Sequence, residues 1–261
     1  MQIYNLSDTH ECITGPKNAA SYFGDKLDLL ILNGDIINDV SSEYQISLIY
    51  RLANAVTKGE RPVIFTRGNH ECNGRLANRL GEYVGCADRG FYFEYSTPSL
   101  SLTVLDTCND MADDNPLISP VANFSEVRKA ESEWLKGLKV GDKKYKIIVS
   151  HMAYPLKGYL ASDCVWNEWA AELVTLTDKT AHLALCGHSH KTVFDAADTE
   201  ENARVSFPAV RGSLRSDKYS DREGISPLEF TGTALELKDG AIDIKFTNSK
   251  KEVLGRYKVE V

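Results

Sequence analysis

Five short apolar segments of this chain each end directly at a cluster of Asp, Asn, Gly and His residues. The clearest is Leu27–Leu32, whose almost continuous apolar run ends just before Gly34 and is typical of a strand buried on both faces. A helical pattern follows at Ser42–Val56, where apolar residues recur every three or four positions. This alternation predicts an α/β chain with helices packed on buried strands.

The remaining elements follow from the same patterns. Strands are predicted at Gln2–Leu6, Pro62–Phe65, Phe91–Tyr95, Leu100–Leu105, Tyr145–Val149 and Leu183–Cys186, and helices near Lys17–Phe23 and at Arg75–Val84, Glu126–Leu138 and Val165–Leu176. From Val205 the pattern changes to strands and turns, with strands at Thr231–Leu237, Ala241–Thr247 and Val253–Val259 and a hairpin turn at Asp239-Gly240. Since no repeat or linker interrupts the chain, we expect one domain over residues 1–261, completed by a β-rich segment at about 204–261.

Composition excludes several classes of protein. The chain has 261 residues, of which 43% are hydrophobic, so it can bury a substantial core. No apolar run approaches the ~20 residues of a transmembrane helix, and the start Met1-Gln2-Ile3-Tyr4 lacks the features of a signal peptide. A net charge of −7 argues against a nucleic-acid-binding surface. Six scattered cysteines without a CxxC pair favour the cytoplasm, although an excised secreted or periplasmic domain stays possible.

The polar clusters at the strand ends predict a metal site. They are Asp8-Thr9-His10, Gly34-Asp35, Gly68-Asn69-His70-Glu71, Ser150-His151 and Gly187-His188-Ser189-His190. Because the carboxyl ends of strands in an α/β sheet face one crevice, these clusters should converge, and only His182 among the six histidines lies elsewhere. Imidazole and carboxylate ligands suit Mn, Fe, Co, Ni or Zn, and the number of ligands is sufficient for two ions.

The ordered motifs resemble the calcineurin-like metallophosphoesterase superfamily over residues 8–190. The flanking segments Gly90–Tyr95, Leu102–Thr107 and Glu133-Trp134-Leu135 are most similar to bacterial domains related to purple acid phosphatases. The resemblance implies a two-sheet mixed β-sandwich flanked by helices. It also implies two divalent or mixed-valence metal ions and hydrolysis of a small phosphoester by a hydroxide that bridges the metals.

The resemblance also assigns roles to individual residues. It implies one metal on Asp8, His10, Asp35 and His190, and a second on Asp35, Asn69, His151 and His188. His70 is left to protonate the leaving group or to stabilise the phosphoryl oxygens.

The chain departs from two branches of this superfamily. Purple acid phosphatases carry a Tyr where this chain has Asn38 and lack a ligand at the position of His10, so no charge-transfer colour is expected here. The protein serine/threonine phosphatases share the string Arg67–Glu71 but carry Asp-Arg where this chain has Asn38-Asp39, so a phosphoprotein substrate is not predicted.

Several residues near the motifs have two possible roles. Arg67 either reaches a phosphate or pairs with a carboxylate, and Asn38 either orients His70 or caps the following helix. Glu71 is expected to support the metal ligands from behind and not to act in catalysis, since metal-bound histidines usually donate to a carboxylate. Asn109 either shapes the rim of a substrate pocket or lies on a solvated loop. Tyr154 either contacts substrate or packs on its own loop.

The type of phosphoester is also open at this point. A phosphomonoester is favoured, the alternative being a phosphodiester of the nucleotide or phospholipid type. A non-catalytic scaffold is less favoured because every ligand position and His70 are present.

Overall fold

Two six-stranded β-sheets face each other in the computed structural model, which describes residues 1–88, 90–107, 124–152, 181–190, 192–195, 209–211 and 230–261. The helices in this part are α1 Thr14–Ala20, α2 Glu43–Thr57, α3 Leu80–Val84 and α4 Phe124–Gly137. The strands are β1 Gln2–Leu6, β2 Leu29–Asn33, β3 Val63–Thr66, β4 Phe93–Ser96, β5 Leu100–Val104, β6 Tyr145–Val149, β7 Leu183–Cys186, β8 Val193–Asp195, β9 Ala209–Arg211, β10 Thr231–Lys238, β11 Ala241–Asn248 and β12 Val253–Glu260.

Both sheets mix parallel and antiparallel pairs. The first has the order β12-β11-β10-β1-β2-β3, in which β1, β2 and β3 are parallel and the C-terminal strands are antiparallel. The second has the order β4-β5-β6-β7-β9-β8, with a parallel centre and antiparallel outer strands. The predicted two-sheet α/β fold is therefore confirmed, and the C-terminal strands complete the first sheet.

The central strand β2 shows why this sequence needs two layers of cover. Leu29 and Ile31 point between the sheets, where they pack with residues such as Val104 and Val149 of the second sheet. Leu30 and Leu32 point to the opposite face, into a cluster that includes residues of α2. All five residues of β2 are buried, as expected of a strand covered on both faces.

Two predicted helices differ from the structure. The helix predicted at Arg75–Val84 is a 3-10 turn at Ala77–Arg79 followed by the five-residue α3, because the N–H of Leu76 donates to the carbonyl of Val40 instead of starting a helix. Helix α1 begins earlier than the predicted Lys17, since Pro16 is well suited to a first helical turn. The predicted helix Val165–Leu176 lies outside the described residues. Within the described part, no helix combines the length and apolar character needed to cross a membrane.

Candidate metal centre

The loop after β1 carries Asp8 and His10 and lies alongside the loop after β2. The N–H of Asp8 donates to the carbonyl of Gly34 at 3.0 Å, and the N–H of His10 donates to the carbonyl of Asp35 at 3.0 Å. These bonds continue the parallel pairing of β1 with β2 beyond the ends of the strands. Consequently the carboxylates of Asp8 and Asp35 enter the same buried region.

The backbone at five candidate ligands adopts a conformation that few residue types accept. Asp8, His10, Asp35, His188 and His190 have φ values of 55°, 46°, 52°, 65° and 52°. Left-handed backbone is uncommon outside glycine and persists where the surrounding structure enforces it, as at functional sites. The loops therefore direct these side chains inward at some conformational cost.

Glu71 fixes the loop that carries Asp35. Its fully buried carboxylate accepts main-chain N–H groups from Asp35 and Gly68 at 2.8 and 2.6 Å, and from Ile36 and Ile37 at 2.8 and 3.1 Å. Burial raises the pKa of Glu71, while the N–H donors act in the opposite direction. One carboxylate thus ties the loop after β2 to the loop after β3.

His70 is held through both its ring and its main-chain N–H. Its Nδ1 lies 2.7 Å from the carbonyl oxygen of Asn38, which can only accept, so Nδ1 carries the proton. Its main-chain N–H donates to Asp35 Oδ1 at 2.9 Å. The second ring nitrogen, Nε2, faces the site at 4.0 Å from Asp35 Oδ2.

Two glycines allow these loops to approach closely. A Cβ atom at Gly68 would overlap the carboxylate of Asp35, and a Cβ atom at Gly34 would lie 2.5 Å from the His151 ring. The Gly-Asp and Gly-Asn-His-Glu motifs therefore need their glycines for space.

His151 is completely buried and faces both aspartates. Its Nδ1 donates to the carbonyl of Asn33 at 2.8 Å, whereas Nε2 lies 3.3 Å from Asp35 Oδ2 and 4.0 Å from Asp8 Oδ1. Among the described residues, this buried Nε2 has no partner in hydrogen-bond geometry.

His188 and His190 complete the cluster from the loop after β7. The N–H of His188 donates to the Asp8 carboxylate at 2.9 Å, and His188 Nδ1 lies 2.9 Å from Asn69 Oδ1. His190 Nε2 lies 3.7 Å from Asp8 Oδ1 and 3.3 Å from His10 Nε2.

The side chains form overlapping groups whose ligand atoms lie within 4.8 Å of one another. These groups are Asp8, His10 and His190, then Asp35, His151 and His188, and finally His10, Asp35 and His70. The first two groups hold residues that the family resemblance assigns to different ions, and Asn69 lies beside the second group.

Charge interactions are strong among these groups in the metal-free protein. Burial raises the pKa of Asp8 to about 7. Burial would also raise the pKa of Asp35, but His151 reverses this and holds it well below its usual range. Burial would lower the pKa of His151, yet Asp35 and Asp8 raise it to about 10. Asp8, Asp35 and His151 therefore share protons within a cluster whose donor atoms are close enough together to bind a cation.

The comparison with protein families agrees with this geometry. A sequence model of the family described as calcineurin-like phosphoesterase matches residues 1–192 of the chain. The chain belongs to this family. It is accordingly a metal-dependent hydrolase of phosphoric esters. No curated protein sequence matches the chain.

Solved structures share the fold of this calcineurin-like phosphoesterase. A dimetal phosphatase from Danio rerio has 12% identity and a TM-score of 0.65 over 100% of this chain and 98% of its own. GAP50, described as the anchor in the inner membrane complex of Plasmodium, has 15% identity and a TM-score of 0.65, over 100% and 89%. The purple acid phosphatase PPD1 from yellow lupin has 11% identity and a TM-score of 0.61, over 100% of this chain and 53% of its own. At such identities the likeness concerns the fold.

The structure shows the contacts of three residues whose roles the sequence leaves open. Arg67 forms an ion pair with Asp106. Asn38 orients His70, but through its main-chain carbonyl and not its amide, while Ser42 caps α2. Glu71 binds main-chain N–H groups of the loop that carries the candidate ligand Asp35, and the ring nitrogens of His70 and His151 meet main-chain carbonyls. A supporting role for Glu71 behind the metal ligands stays a prediction.

Two predicted substrate contacts and one residue that the sequence analysis did not identify are still to be placed. Asn109 and Tyr154 lie outside the described residues, so their proposed contacts with substrate stay predictions. The residue that sequence reasoning missed is Asp106. It follows the end of β5 just as the other acidic residues follow their strands, and that position could have marked it.

Proposed function

We propose that this calcineurin-like phosphoesterase holds two divalent transition-metal ions and hydrolyses a small phosphomonoester. Mn, Fe, Co, Ni and Zn suit the donor set. The ligands proposed for one ion are Asp8, His10, Asp35 and His190, and those for the other are Asp35, Asn69, His151 and His188. When bound, such ions supply positive charge to the phosphoryl oxygens and convert water to hydroxide near neutral pH.

The buried Nε2 atom of His151 carries this proposal. Because Nδ1 donates to a carbonyl, Nε2 of the neutral ring presents a lone pair. That lone pair faces carboxylate oxygens of Asp35 and Asp8 at 3.3 and 4.0 Å. Three acceptors around one buried point require a cation between them, and a ring held through its other nitrogen is the usual arrangement of a metal-bound histidine. Before metal binds, a proton would serve this purpose, and metal binding would release it.

His70 is proposed as the proton donor to the leaving oxygen. The carbonyl of Asn38 holds Nδ1 of His70, and Nε2 of His70 points into the cluster close to Asp35. The His70 side chain is 36% exposed, whereas that of His151 is fully buried, so His70 can meet a substrate. A protonated Nε2 at this place can donate to an alkoxide as it departs.

We also propose the cytoplasm as the compartment. Cys12, Cys72, Cys86 and Cys186 are all buried. The six cysteines of the chain are scattered and include no CxxC pair, which suits a reducing compartment.

The test combines metal analysis with hydrolysis by the purified chain. The protein is stripped with a chelator, reconstituted separately with each of the five metals, and offered p-nitrophenyl phosphate and bis-p-nitrophenyl phosphate in parallel. We expect about two ions per chain and faster hydrolysis of the monoester. His70→Asn should retain both ions and lose ~10²–10⁴-fold in kcat.

His182→Asn is the matched control, because His182 pairs with the main chain of Lys146 away from the cluster. It should behave as the wild type. A preference for the diester would establish the alternative substrate class, and two bound ions without turnover of either ester would favour a binding role. Failure to bind metal would overturn the proposal.

A further inference from the structure

The candidate metal centre takes its ligands from both sheets. Asp8, Asp35 and Asn69 follow strands of the first sheet, whereas His151 and His188 follow strands of the second. The distance between these two sets therefore depends on how the ends of the two sheets are joined. The separation of the sheet ends matters for the proposed function, because the second proposed ion would take ligands from both sheets.

The ends of β3 and β5 are joined by two consecutive side-chain contacts. Thr66 Oγ1 donates to the carbonyl of Leu105 at 3.1 Å. The next residue, Arg67, donates from Nε to Asp106 Oδ1 at 3.0 Å, and one of its terminal nitrogens lies 2.8 Å from Oδ2 in an ion pair. A charge-assisted hydrogen bond with a second close contact fixes orientation as well as distance.

The pair is enclosed by further contacts. The side chains of Arg67 and Asp106 are 8% and 1% exposed. The guanidinium lies over the ring of Phe91 at 4.7 Å from the ring centre. Glu131 of α4 accepts the main-chain N–H of Asp106 at 2.9 Å, which holds the carboxylate end in place.

The same connection continues to a ligand of the second sheet. Thr107, next to Asp106, accepts the main-chain N–H of Met152 at 2.9 Å through its hydroxyl. Met152 follows His151 directly. A short chain of contacts therefore runs from the loop of Asn69 and His70, through the ion pair, to the loop of His151.

We propose that Arg67 is a positioning residue that sets the separation between the Asn69–His70 loop and His151 through Asp106. It acts on the geometry of the second metal site and on the placement of His70, and it does not bind the phosphate of the substrate. Arginine is required because a lysine, with one nitrogen, cannot make both contacts with Asp106 while its cation lies over the Phe91 ring. This inference rests on the proposed function for its metal ligands.

The test is a mutant cycle read in two ways. Arg67→Lys, Asp106→Asn and the double variant are compared with the wild type. The first measurement is a cobalt titration followed by the visible absorption spectrum, without substrate. The second is kcat and KM for p-nitrophenyl phosphate together with inhibition by inorganic phosphate. Arg79→Lys is the matched control, since Arg79 contacts one carboxylate, that of Glu82, through the same two kinds of nitrogen on an exposed surface.

Both single variants should weaken binding of the second cobalt ion by about 10- to 100-fold and alter its spectrum, as loss of outer contacts to a metal site does. We expect kcat to fall by a similar factor with KM within about threefold. The double variant should bind the second cobalt ion no more weakly than the more impaired single variant does. Its kcat should also be no lower, because both changes remove the same connection. The Arg79 control should match the wild type.

Two results would overturn this inference alone. If Arg67→Lys raises KM and weakens phosphate inhibition about tenfold while Asp106→Asn does neither, Arg67 contacts the phosphate. If the wild type binds two cobalt ions and both variants retain its spectrum and kcat, the pair serves stability only. A wild type that binds no second ion would instead overturn the proposed function, and this inference with it.

Discussion

Replacing Glu71 with glutamine should destabilise the metal-free protein strongly. Glu71 Oε2 accepts N–H groups from Asp35 and Gly68, and Oε1 accepts those of Ile36 and Ile37. A glutamine has one acceptor oxygen, so its NH₂ group must face two main-chain N–H groups in either orientation. Two hydrogen bonds to a charged acceptor are lost, and two buried donors meet another donor.

The size of the effect follows from these contacts. Each hydrogen bond to a charged group contributes about 1.5–3 kcal/mol, so the loss of two should cost roughly 3–6 kcal/mol. A typical free energy of unfolding is about 5–15 kcal/mol, and the variant should therefore be near the limit of folding.

The measurement is urea unfolding in EDTA at constant pH, with Glu236→Gln as control. Glu236 is partly exposed and lies 3.7 Å from Lys245, so its replacement should cost less than about 1 kcal/mol. If Glu71→Gln costs no more than this control, then Glu71 carries a proton in the folded state, or the loops find other partners, and the reasoning fails.

Three further predictions concern the site. Without metal, the free energy of unfolding should fall between about pH 7 and 9, by up to about 1.4 kcal/mol per pH unit. The reason is that His151 has a pKa of about 10 in the folded protein, whereas in the unfolded chain it loses its proton above about pH 6.5. Saturating metal should remove this slope in urea unfolding, and a flat curve in EDTA would contradict the assignment. Asn38→Ala should keep kcat within about twofold, because a main-chain carbonyl holds His70; a hundredfold loss would show that the amide matters. Gly68→Ala should reduce bound metal measured by mass spectrometry, whereas Gly137→Ala, where an added Cβ meets nothing within 4 Å, should not; equal metal content would refute the steric argument.

The fold and the strand-end clusters could be predicted because both depend on local patterns. The strands Gln2–Leu6, Tyr145–Val149 and Leu183–Cys186 have the bounds that the apolar runs predict. Polar residues directly after such strands meet because parallel strands align their carboxyl ends. The convergence of Asp8, Asp35 and the histidines needed no knowledge of the order of the strands.

The role of Arg67 needed that knowledge. Its partner Asp106 is 39 positions away, and the two meet only because the end of β3 in one sheet approaches the end of β5 in the other. Likewise, Asn38 acts through a carbonyl whose direction depends on backbone angles, which residue type does not specify. Composition and spacing therefore do not determine side-chain contacts between the two sheets. They also do not determine contacts made by main-chain carbonyls.

The left-handed backbone at the candidate ligands also limits how this centre could be redesigned. Asp8, His10, Asp35, His188 and His190 all have φ values between 46° and 65°, and Asp, Asn and His are the side chains that accept such values most readily after glycine. Exchange among these three types is therefore tolerated by the backbone, whereas a β-branched residue would be strained before any metal is present. Engineering of metal preference here is confined to nitrogen and oxygen donors, and a change of selectivity should be sought in the contacts behind the ligands.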